Sequence, residues 1–344
     1  MIAARAAGNG TTRPAPYPVG HAARDRYVLA RRGARPARDA WRHQGIVVEP
    51  ERNEAGSIDT AATVFLTGRE CPWHCVMCDL WQYTTAGDTP AGALPAQVAA
   101  AVATFHDDNA RPSVIKLYNA GSFFDRRAVP PADHEAIADR LGDFTRVIVE
   151  SHPSLIGEPA WRFRDLLESR RAGTRLEVAI GLETAHPGAL DAINKRITVD
   201  DVAGAADALR MHGLDLRVFL LVHPPFVPRA DQDEWLARSV AFALTCGATA
   251  VSLIPTRPGE GAMQALAAEG HFAAPTLLDV ERALVVARRT AGAARVFIDA
   301  WDLGRLASCA ACAGARLARM ASHNLEQRVP EPVGCAVCGE ETPS

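Results

Sequence analysis

The feature that most constrains the fold of this chain is a series of short apolar runs that alternate with amphipathic stretches from about residue 61 onward. Each run is rich in β-branched residues and almost continuously apolar, as a strand covered on both faces requires. The intervening stretches have apolar residues spaced by three and four, which is typical of helices. The runs cover residues 62–67, 113–119, 145–151, 175–183, 216–224 and 250–256, and the helical stretches cover 94–106, 132–141, 159–171, 187–194, 199–212 and 231–245.

Six alternating units of this kind predict an α/β protein whose parallel sheet forms a partial (β/α)6 TIM-type barrel. A further short run at 296–300 predicts one more strand. We expect three regions: an Arg-rich N-terminal extension over 1–60, the barrel over 61–300 and a metal-binding tail over 301–344. Because active sites of such barrels gather at the carboxyl ends of the strands, residues that directly follow the runs are the candidates for chemistry.

Three of the eight cysteines follow the first predicted strand as Cys71, Cys75 and Cys78, with the spacing C-x3-C-x2-C. Three thiolates can hold three corners of an iron–sulfur cube, which leaves the fourth iron open to a small molecule. An open iron indicates chemistry rather than simple electron storage. The alternative interpretation is a structural zinc knuckle completed by one further ligand.

This spacing, together with the apolar strand before it, resembles the cluster loop of the radical S-adenosylmethionine (radical SAM) superfamily. The resemblance implies a 4Fe–4S cluster on Cys71, Cys75 and Cys78, with SAM bound to the open iron. It also implies reductive cleavage of SAM to a 5′-deoxyadenosyl radical that abstracts hydrogen from an organic substrate, and a reducing partner such as flavodoxin or ferredoxin. Met77 stands where this family often has an aromatic residue whose backbone meets the adenine of SAM.

By the same resemblance, residues at the ends of the second and third predicted strands are candidates to hold SAM. Gly121 and Ser122 resemble the turn that brings backbone groups to the amino group of SAM, because glycine permits a close backbone approach. Asn119 can assist from the same turn. Glu150 and Ser151 are placed to bind the ribose hydroxyls. The competing interpretation is structural, as rim residues that cap a helix or pair with an arginine.

Further candidates follow the fourth and fifth predicted strands. Glu183 is a second candidate for the ribose hydroxyls. Arg196 is the candidate to pair with the carboxylate of SAM, and Lys195 beside it is the competitor. His223, which precedes two prolines, can transfer a proton near the substrate. The alternative for His223 is a hydrogen-bonded structural residue.

The tail carries two C-x2-C pairs separated by twenty-two residues, a strong signal for a metal site. We expect a structural zinc ion, and a second iron–sulfur cluster on the same four thiolates is the alternative. The segment between the pairs is predicted to be a helix with a basic face, either solvated or in contact with RNA. The four metal ligands are Cys309, Cys312, Cys335 and Cys338, and the basic residues are Arg316, Arg319, His323 and Arg328.

Charge is distributed unevenly along the chain. The net charge is −3, yet residues 1–45 carry nine arginines against Asp25 and Asp39, so the remainder is about −10 by subtraction. A basic arm can contact RNA phosphates, and the alternative is a floppy or docked extension whose arginines reflect a GC-rich genome. No apolar run approaches the ~18 residues of a membrane span, and no secretory signal is evident. We therefore expect a cytoplasmic protein without membrane contact.

Three further stretches narrow the resemblance: residues 180–196, residues 120–125, and the tail from residue 299. Together they resemble one radical SAM branch, which shares the MiaB/NifB-type core and includes the radical SAM partner of archaeosine synthase. This implies an enzyme of the iron–sulfur oxidoreductase or transferase type, with a modified tRNA base as the leading substrate class and tRNA or a partner enzyme as partner. The alternatives are a natural-product or peptide substrate and, from another class, a non-catalytic metal-stabilised RNA-binding module.

Overall fold

The computed structural model describes residues 16–105 and 111–341. Within these residues eight strands form one sheet in chain order, and only the first pair is antiparallel. This barrel-shaped sheet confirms the predicted fold class. The strands are β1 Gly45–Arg52, β2 Ile58–Leu66, β3 Val114–Asn119, β4 Arg146–Glu150, β5 Arg175–Glu183, β6 Asp215–Val222, β7 Ala250–Pro255 and β8 Arg295–Ile298.

Helices connect the parallel strands and cover the outside of the sheet. Thr198 and Asp201 form a capping box at the start of one helix, and Thr276 and Asp279 form a capping box at the start of another. None of the described helices is both long and apolar enough to cross a membrane. The helices are α1 His21–Leu29, α2 Ala93–Val102, α3 Asp133–Asp139, α4 Glu158–Arg170, α5 Pro187–Ala192, α6 Val199–Met211, α7 Gln232–Thr245, α8 Ala262–Ala268, α9 Leu277–Ala291 and α10 Ala310–Glu326.

The strands are buried on both faces because two separate apolar clusters lie against them. The larger cluster fills the space between the sheet and the helices. The smaller one lies inside the barrel, where side chains from alternate positions of β2 to β6 meet: Ala61, Val114, Ile148 and Ala179, with Tyr118 and Phe219 packed against them.

Paired charges fill the lumen near the amino ends of the strands. Arg217 donates to Glu177 at 2.5 Å and to Glu51 at 2.6 Å, and Arg146 donates to Glu177 at 2.7 Å and to Asp215 at 2.9 Å. Glu177 has no exposed side-chain surface. Buried charges are tolerated when each has a partner, as these do. This network forms a floor, so the lumen opens toward the carboxyl ends of the strands.

The sheet order runs from β1 to β8 without a β8–β1 pair, and α10 occupies the seam between these two edge strands. Side chains at the end of α10 bind the free backbone of β8. Val296 N donates to Gln327 Oε1 at 2.7 Å and Ile298 N donates to Asn324 Oδ1 at 2.8 Å. The two amides also donate back to the carbonyls of the same residues. Side chains at the end of α10 therefore bind the backbone groups of β8 that a further strand would otherwise bind.

Part of the predicted Arg-rich extension is folded onto the barrel. The region supplies β1 and α1, and Arg24 of α1 donates to Asp191 O at 2.7 Å. The segment between α1 and β1 runs beside residues 79–85, where Arg38 Nε donates to Gln82 O at 2.9 Å. Residues 1–15 of the extension lie outside the described residues. The division of the chain at residues 60 and 300 stays a prediction.

Candidate functional site

The predicted cluster loop, residues 71–78, lies at the carboxyl end of the barrel directly after β2. Cys75 is buried, Cys71 and Cys78 are partly exposed, and all three are free thiols. The loop is anchored by the segment after α5: Val76 N donates to Ile193 O at 2.9 Å and Asn194 Nδ2 donates to His74 O at 3.0 Å. The fold thus holds the triplet at the edge of the sheet where barrel active sites lie.

Burial raises the pKa of each of the three loop thiols to about 12. The thiols are therefore neutral near pH 7 until a metal binds, and metal binding releases their protons. The amide N–H of Trp73 points at Cys71 Sγ at 3.5 Å, a contact that favours the thiolate. The loop therefore holds the three thiols in a water-poor environment.

The spacing of the sulfur atoms distinguishes this loop from the tail. The four tail sulfurs lie within 4.8 Å of one another, and the described part of the chain has no other such group of three or more potential ligands. The loop thiols are therefore not gathered around a single ion. In an iron–sulfur cube each thiolate binds a different iron, so the three sulfurs need not meet at one point.

The turn after β3 contains a buried amide that has no hydrogen-bond partner and a glycine that has no space for a side chain. Asn119 is 6% exposed, and neither its Nδ2 nor its Oδ1 has a hydrogen-bond partner. A Cβ at Gly121 would lie 2.6 Å from both Ala128 Cβ and Arg69 O. A buried amide without partners costs free energy, which a bound polar ligand would recover. The residues present therefore fit the amino-acid part of SAM.

The hydroxyls at the ends of the neighbouring strands are already hydrogen-bonded. Ser122 Oγ accepts from His152 N at 2.9 Å, and Ser151 Oγ donates to His152 O at 3.3 Å. The ring of His152 stacks on Trp73 of the cluster loop with 3.5 Å between ring centroids. Burial lowers the pKa of His152 to about 4, so the stacked ring is neutral. No sequence pattern pointed to His152, because its contact with the loop depends on the tertiary fold.

Of the two basic candidates, the structure places Lys195 inside the site. Lys195 Nζ donates to Glu183 Oε1 at 2.5 Å, and both side chains are about nine-tenths buried. Although burial opposes it, the negative charge of Glu183 raises the pKa of Lys195. Arg196 instead forms an ion pair with Asp25 of α1. A Cβ at Gly181 would overlap both members of the Lys195–Glu183 pair.

The upper lumen is lined by aromatic side chains and two carboxyl groups. Six inward side chains are partly exposed while their neighbours along the strands are mostly buried, which shows that the lumen is not filled at this level. Burial raises the pKa of Glu150 to about 7, and burial also raises the pKa of Asp299. Both groups therefore take up protons more readily than a free carboxylate does. The six residues are Phe65, Tyr118, Glu150, Phe219, Ile254 and Asp299.

Two further candidates, His223 and Met77, lie in the loops that follow β6 and β2. His223 directly follows β6 in the left-handed backbone region, with φ of 58°. Its Nε2 lies 3.8 Å from Asp279 Oδ1, and burial lowers its pKa. It lines a small pocket together with Glu183. Met77 is partly buried and packs against the outer apolar core.

The tail cysteines converge on a single point. Cys309 Sγ lies 4.0 Å from Cys335 Sγ, and Cys312 Sγ lies 4.0 Å from Cys338 Sγ. Four sulfurs bound tetrahedrally at 2.3 Å would be about 3.8 Å apart, so the arrangement fits one ion. Hydrogen bonds from the backbone N–H groups of Cys338 and Val337 lower the pKa of Cys335 to about 7. This donor set therefore fits a mononuclear thiolate site.

The expectation of a basic face on α10, either solvated or in contact with RNA, is wrong for three of its four basic residues. Arg316, Arg319 and His323 are 2%, 4% and 0% exposed. Both arginines pair with the buried carboxylate of Glu281 on α9, at 2.5 and 3.3 Å, and Arg316 Nε also donates to Cys312 Sγ at 3.2 Å. Arg328 lies beyond the end of the helix. The charges hold α10 and its metal ligands to the barrel and do not form an RNA-facing surface.

Sequence comparison finds relatives that share part of this chain. The chain is 27% identical over 229 residues to archaeosine synthase subunit beta of Methanosarcina acetivorans, which covers 63% of this chain and 64% of the relative. It is 28% identical over 137 residues to archaeosine synthase subunit beta of Thermococcus kodakarensis, covering 38% and 41%. The chain thus spans less than two thirds of the length of these relatives. No family model matches.

Solved structures with a similar fold include Elp3 of the archaeon Methanocaldococcus infernus, at 13% identity and a TM-score of 0.48, covering 67% of this chain and 59% of that one. They also include methylornithine synthase, at 11% identity and a TM-score of 0.46, covering 67% and 63%.

Proposed function

We propose that this chain, a member of the radical SAM superfamily as the cysteine spacing predicted, is an enzyme that cleaves SAM reductively and abstracts hydrogen from an organic substrate. The observation that carries the proposal is the C-x3-C-x2-C loop at the carboxyl end of β2, beside the unpartnered amide of Asn119. Cys71, Cys75 and Cys78 would hold a 4Fe–4S cluster. When bound and reduced, the cluster and SAM supply a 5′-deoxyadenosyl radical.

The residues around the loop support roles in binding SAM. Asn119, Ser122 and the backbone at Gly121 would bind its amino-acid part. Lys195, held by Glu183, would bind the carboxylate, with Arg196 as the competing candidate. Glu150 and Ser151, at the end of β4, would bind the ribose, and Met77, in the cluster loop, would lie at the adenine.

The substrate would enter the upper lumen and meet the open side of the cluster loop there. Its walls are Phe65, Tyr118, Phe219 and Ile254, and the paired charges below exclude water from the floor. The names of the relatives support a modified tRNA base as substrate class, and the word subunit in them supports a partner enzyme. His223 would move a proton at the edge of the lumen.

The tail site would hold a single zinc ion in a structural role. The 4.0 Å sulfur distances and the closed set of four cysteines support a mononuclear ion over a second cluster, because a structural zinc site has four protein ligands and no open position.

The deciding experiment is an anaerobic assay. The protein is loaded with iron and sulfide, reduced, mixed with SAM, and 5′-deoxyadenosine is measured by mass spectrometry. We expect product from the wild type and none from Cys75→Ala, because a cluster needs all three thiolates. Cys246→Ala is the matched control, since Cys246 lies alone at the end of α7. A fully loaded and reduced wild type that never forms 5′-deoxyadenosine, with or without added tRNA, would contradict the proposal.

A further inference from the structure

One carboxylate of the N-terminal helix α1 joins two segments of the candidate site. Asp25 Oδ1 lies 3.3 Å from His74 Nδ1 in the cluster loop, and it accepts a hydrogen bond from Asn194 Nδ2 at 2.9 Å. Asp25 Oδ2 accepts from Arg196. The Asp25 side chain is 19% exposed. This carboxylate therefore contacts the cluster loop and also the residues on both sides of Lys195.

The side chain of Asn194 makes the second part of this junction. Asn194 has no exposed surface, and its Nδ2 donates to His74 O at 3.0 Å as well as to Asp25. Its Oδ1 lies 3.0 Å from His21 Nδ1, also on α1. The backbone at Asn194 is left-handed, with φ of 63°. Asp25 and Asn194 together hold the cluster loop against the turn that contains Lys195.

Helix α1 is also fixed to the barrel by contacts in which the bridging carboxylate takes no part. Arg24 donates to Asp191 O at 2.7 Å and to the Asp191 carboxylate at 2.9 Å. Tyr17 OH donates to Ala192 O at 2.6 Å, and the rings of Tyr17 and Tyr27 pack edge to face with centroids 5.1 Å apart. Loss of the bridging carboxylate should therefore leave α1 docked.

We propose that Asp25 is a positioning residue for SAM, whose carboxylate fixes the cluster loop relative to the turn that contains Lys195. This inference rests on the proposed function, in which one SAM molecule binds both the cluster and Lys195. A ligand that joins two segments binds weakly when it must first bring them together, because the cost of ordering them reduces the binding free energy. Asp25 lowers that cost before SAM binds, and it acts through the two segments rather than by contact with SAM.

The same carboxylate holds the second basic residue of the turn away from the site. The Arg196 side chain pairs with Asp25 and is 36% exposed, whereas the Lys195 side chain pairs with Glu183 and is 11% exposed. An unpaired guanidinium at Arg196 would compete with Lys195 for the carboxylate of SAM. The ion pair with Asp25 removes this competition, so Asp25 also determines which cation SAM meets.

The test compares Asp25→Asn and Asp25→Glu with Asp191→Asn. The first variant removes the charge, and the second keeps the charge but moves it by one methylene. Asp191→Asn is the matched control, because the Asp191 carboxylate also joins α1 to the barrel, through Arg24.

Three quantities are measured for each protein. The first is the iron content after loading with iron and sulfide. The second is the dissociation constant for SAM, by equilibrium dialysis with the cluster oxidised so that SAM is not cleaved. The third is hydrogen exchange at the amide of Val76 in the protein without iron, because this amide donates to Ile193 O and so joins the two segments.

We expect Asp25→Asn to keep the iron content of the wild type and to weaken SAM binding by about tenfold, as loss of a residue that orients a ligand-binding group typically does. The Val76 amide should exchange faster in this variant. Asp25→Glu should fall between Asp25→Asn and the wild type in both SAM affinity and exchange. Asp191→Asn should match the wild type in all three measurements.

Wild-type SAM affinity in Asp25→Asn would overturn the inference. An equal loss of affinity in Asp191→Asn would also overturn it, because docking of α1 in general would then account for the effect. If Asp25→Asn does not fold or take up iron, Asp25→Glu decides: weaker SAM binding at normal iron content supports the inference, and wild-type affinity overturns it. A loaded wild type that binds no SAM would contradict the proposed function instead.

Discussion

Single residues around the cluster loop hold charge in positions that a small ligand can use. Lys195 stands between Asn194 and Arg196, and both of these neighbours have left-handed backbones, with φ of 63° and 61°. This alternation turns the Lys195 side chain inward to Glu183 and the Arg196 side chain outward to Asp25. Lys195 and Arg196 are adjacent in sequence, yet they pair with carboxylates on opposite sides of this loop.

Replacing Lys195 by Met should weaken SAM binding by about tenfold or more and destabilise the fold by ~3 kcal/mol, because Glu183 would be left buried without a partner. The Arg196→Gln variant should change the free energy of unfolding by less than about 1 kcal/mol, since its ion pair is partly exposed. Equilibrium dialysis with SAM and urea unfolding measure the two quantities. A larger loss of SAM affinity in Arg196→Gln would return the carboxylate-binding role to that residue.

The Gly181→Ala variant should displace the Lys195–Glu183 pair, because the added methyl group would occupy the same space. We expect a loss of about 1–3 kcal/mol in unfolding free energy, typical of overpacking, and weaker SAM binding. Gly204→Ala is the control: Gly204 lies in α6 with open space around it, so alanine should stabilise the helix by up to ~1 kcal/mol. Equal changes in the free energy of urea unfolding for the two variants would contradict the expected displacement of the pair.

The sequence predicted the residues whose spacing carries chemistry and missed the contacts that only the fold makes. Cys71, Cys75 and Cys78 were found because three thiols in eight residues are a local pattern. Glu183 and Lys195 are twelve residues apart on different elements, so no spacing rule links them. Asn119 was predicted from its place after a strand, but the lack of partners for its amide is visible only in three dimensions.

At the scale of elements, α10 closes the seam of the barrel and the tail cysteines hold its first turn. Cys309 and Cys312 begin the helix, and Asn324 and Gln327 bind β8 at its other end. The tail cysteines therefore hold one end of α10, and the contacts with β8 hold its other end. The helix itself was predicted from the sequence, but its basic residues suggested a solvent-facing role, because the buried partner Glu281 belongs to a distant helix.

Removal of the tail metal should loosen α10 and expose the edge of β8. We expect a metal chelator, or Cys335→Ser, to lower the melting temperature and to speed hydrogen exchange at the amides of Val296 and Ile298, which bond to α10 side chains. Exchange in β4, in the middle of the sheet, should change least. Cys246→Ser is the control for loss of a thiol. Unchanged exchange at β8 after complete metal removal would show that packing alone holds the helix.

For the whole molecule, the charge network on the floor of the lumen links stability to pH. Burial opposes ionisation of Glu51, but Arg217 and Lys116 lower its pKa from 4.5 to about 2. Because the folded-state pKa lies below the unfolded value, the carboxylate stabilises the fold above about pH 4.5. This contribution is lost as the pH falls through about 2.

The shift corresponds to ~3 kcal/mol from Glu51 at neutral pH. The Glu51→Gln variant should therefore be less stable than the wild type at pH 7 and should lose less stability between pH 6 and 3, as urea unfolding would measure. Glu234→Gln, on the exposed face of α7, is the control and should follow the wild type. Since all three proteins have the same metal sites, loss of metal in acid affects them alike. Parallel pH profiles for Glu51→Gln and the wild type would contradict the linkage.

The overall architecture followed from the sequence because each βα unit has its own local period of apolar residues. The antiparallel β1 did not, since its apolar run is only three residues long, 46–48, and is followed by Glu49, Pro50 and Glu51. The inward charges Glu51, Lys116 and Arg217 were also unpredictable, because a pattern of apolar residues says nothing about which charged side chains point into the lumen. Their pairing exists only after the barrel forms.

The long-range contacts of α1 and of the cluster loop can form only after much of the chain has been synthesised. Arg24 bonds to a residue 167 positions later, and Tyr27 to one 242 positions later. The cluster loop leaves the ribosome long before Ile193 and Asn194, which anchor it, are made. At about 5–20 residues per second this delay is on the order of ten seconds. Under the proposed function, its three thiols would have to stay reduced and free of other metals through that interval, and cluster insertion would belong to the nearly finished barrel rather than to the nascent chain.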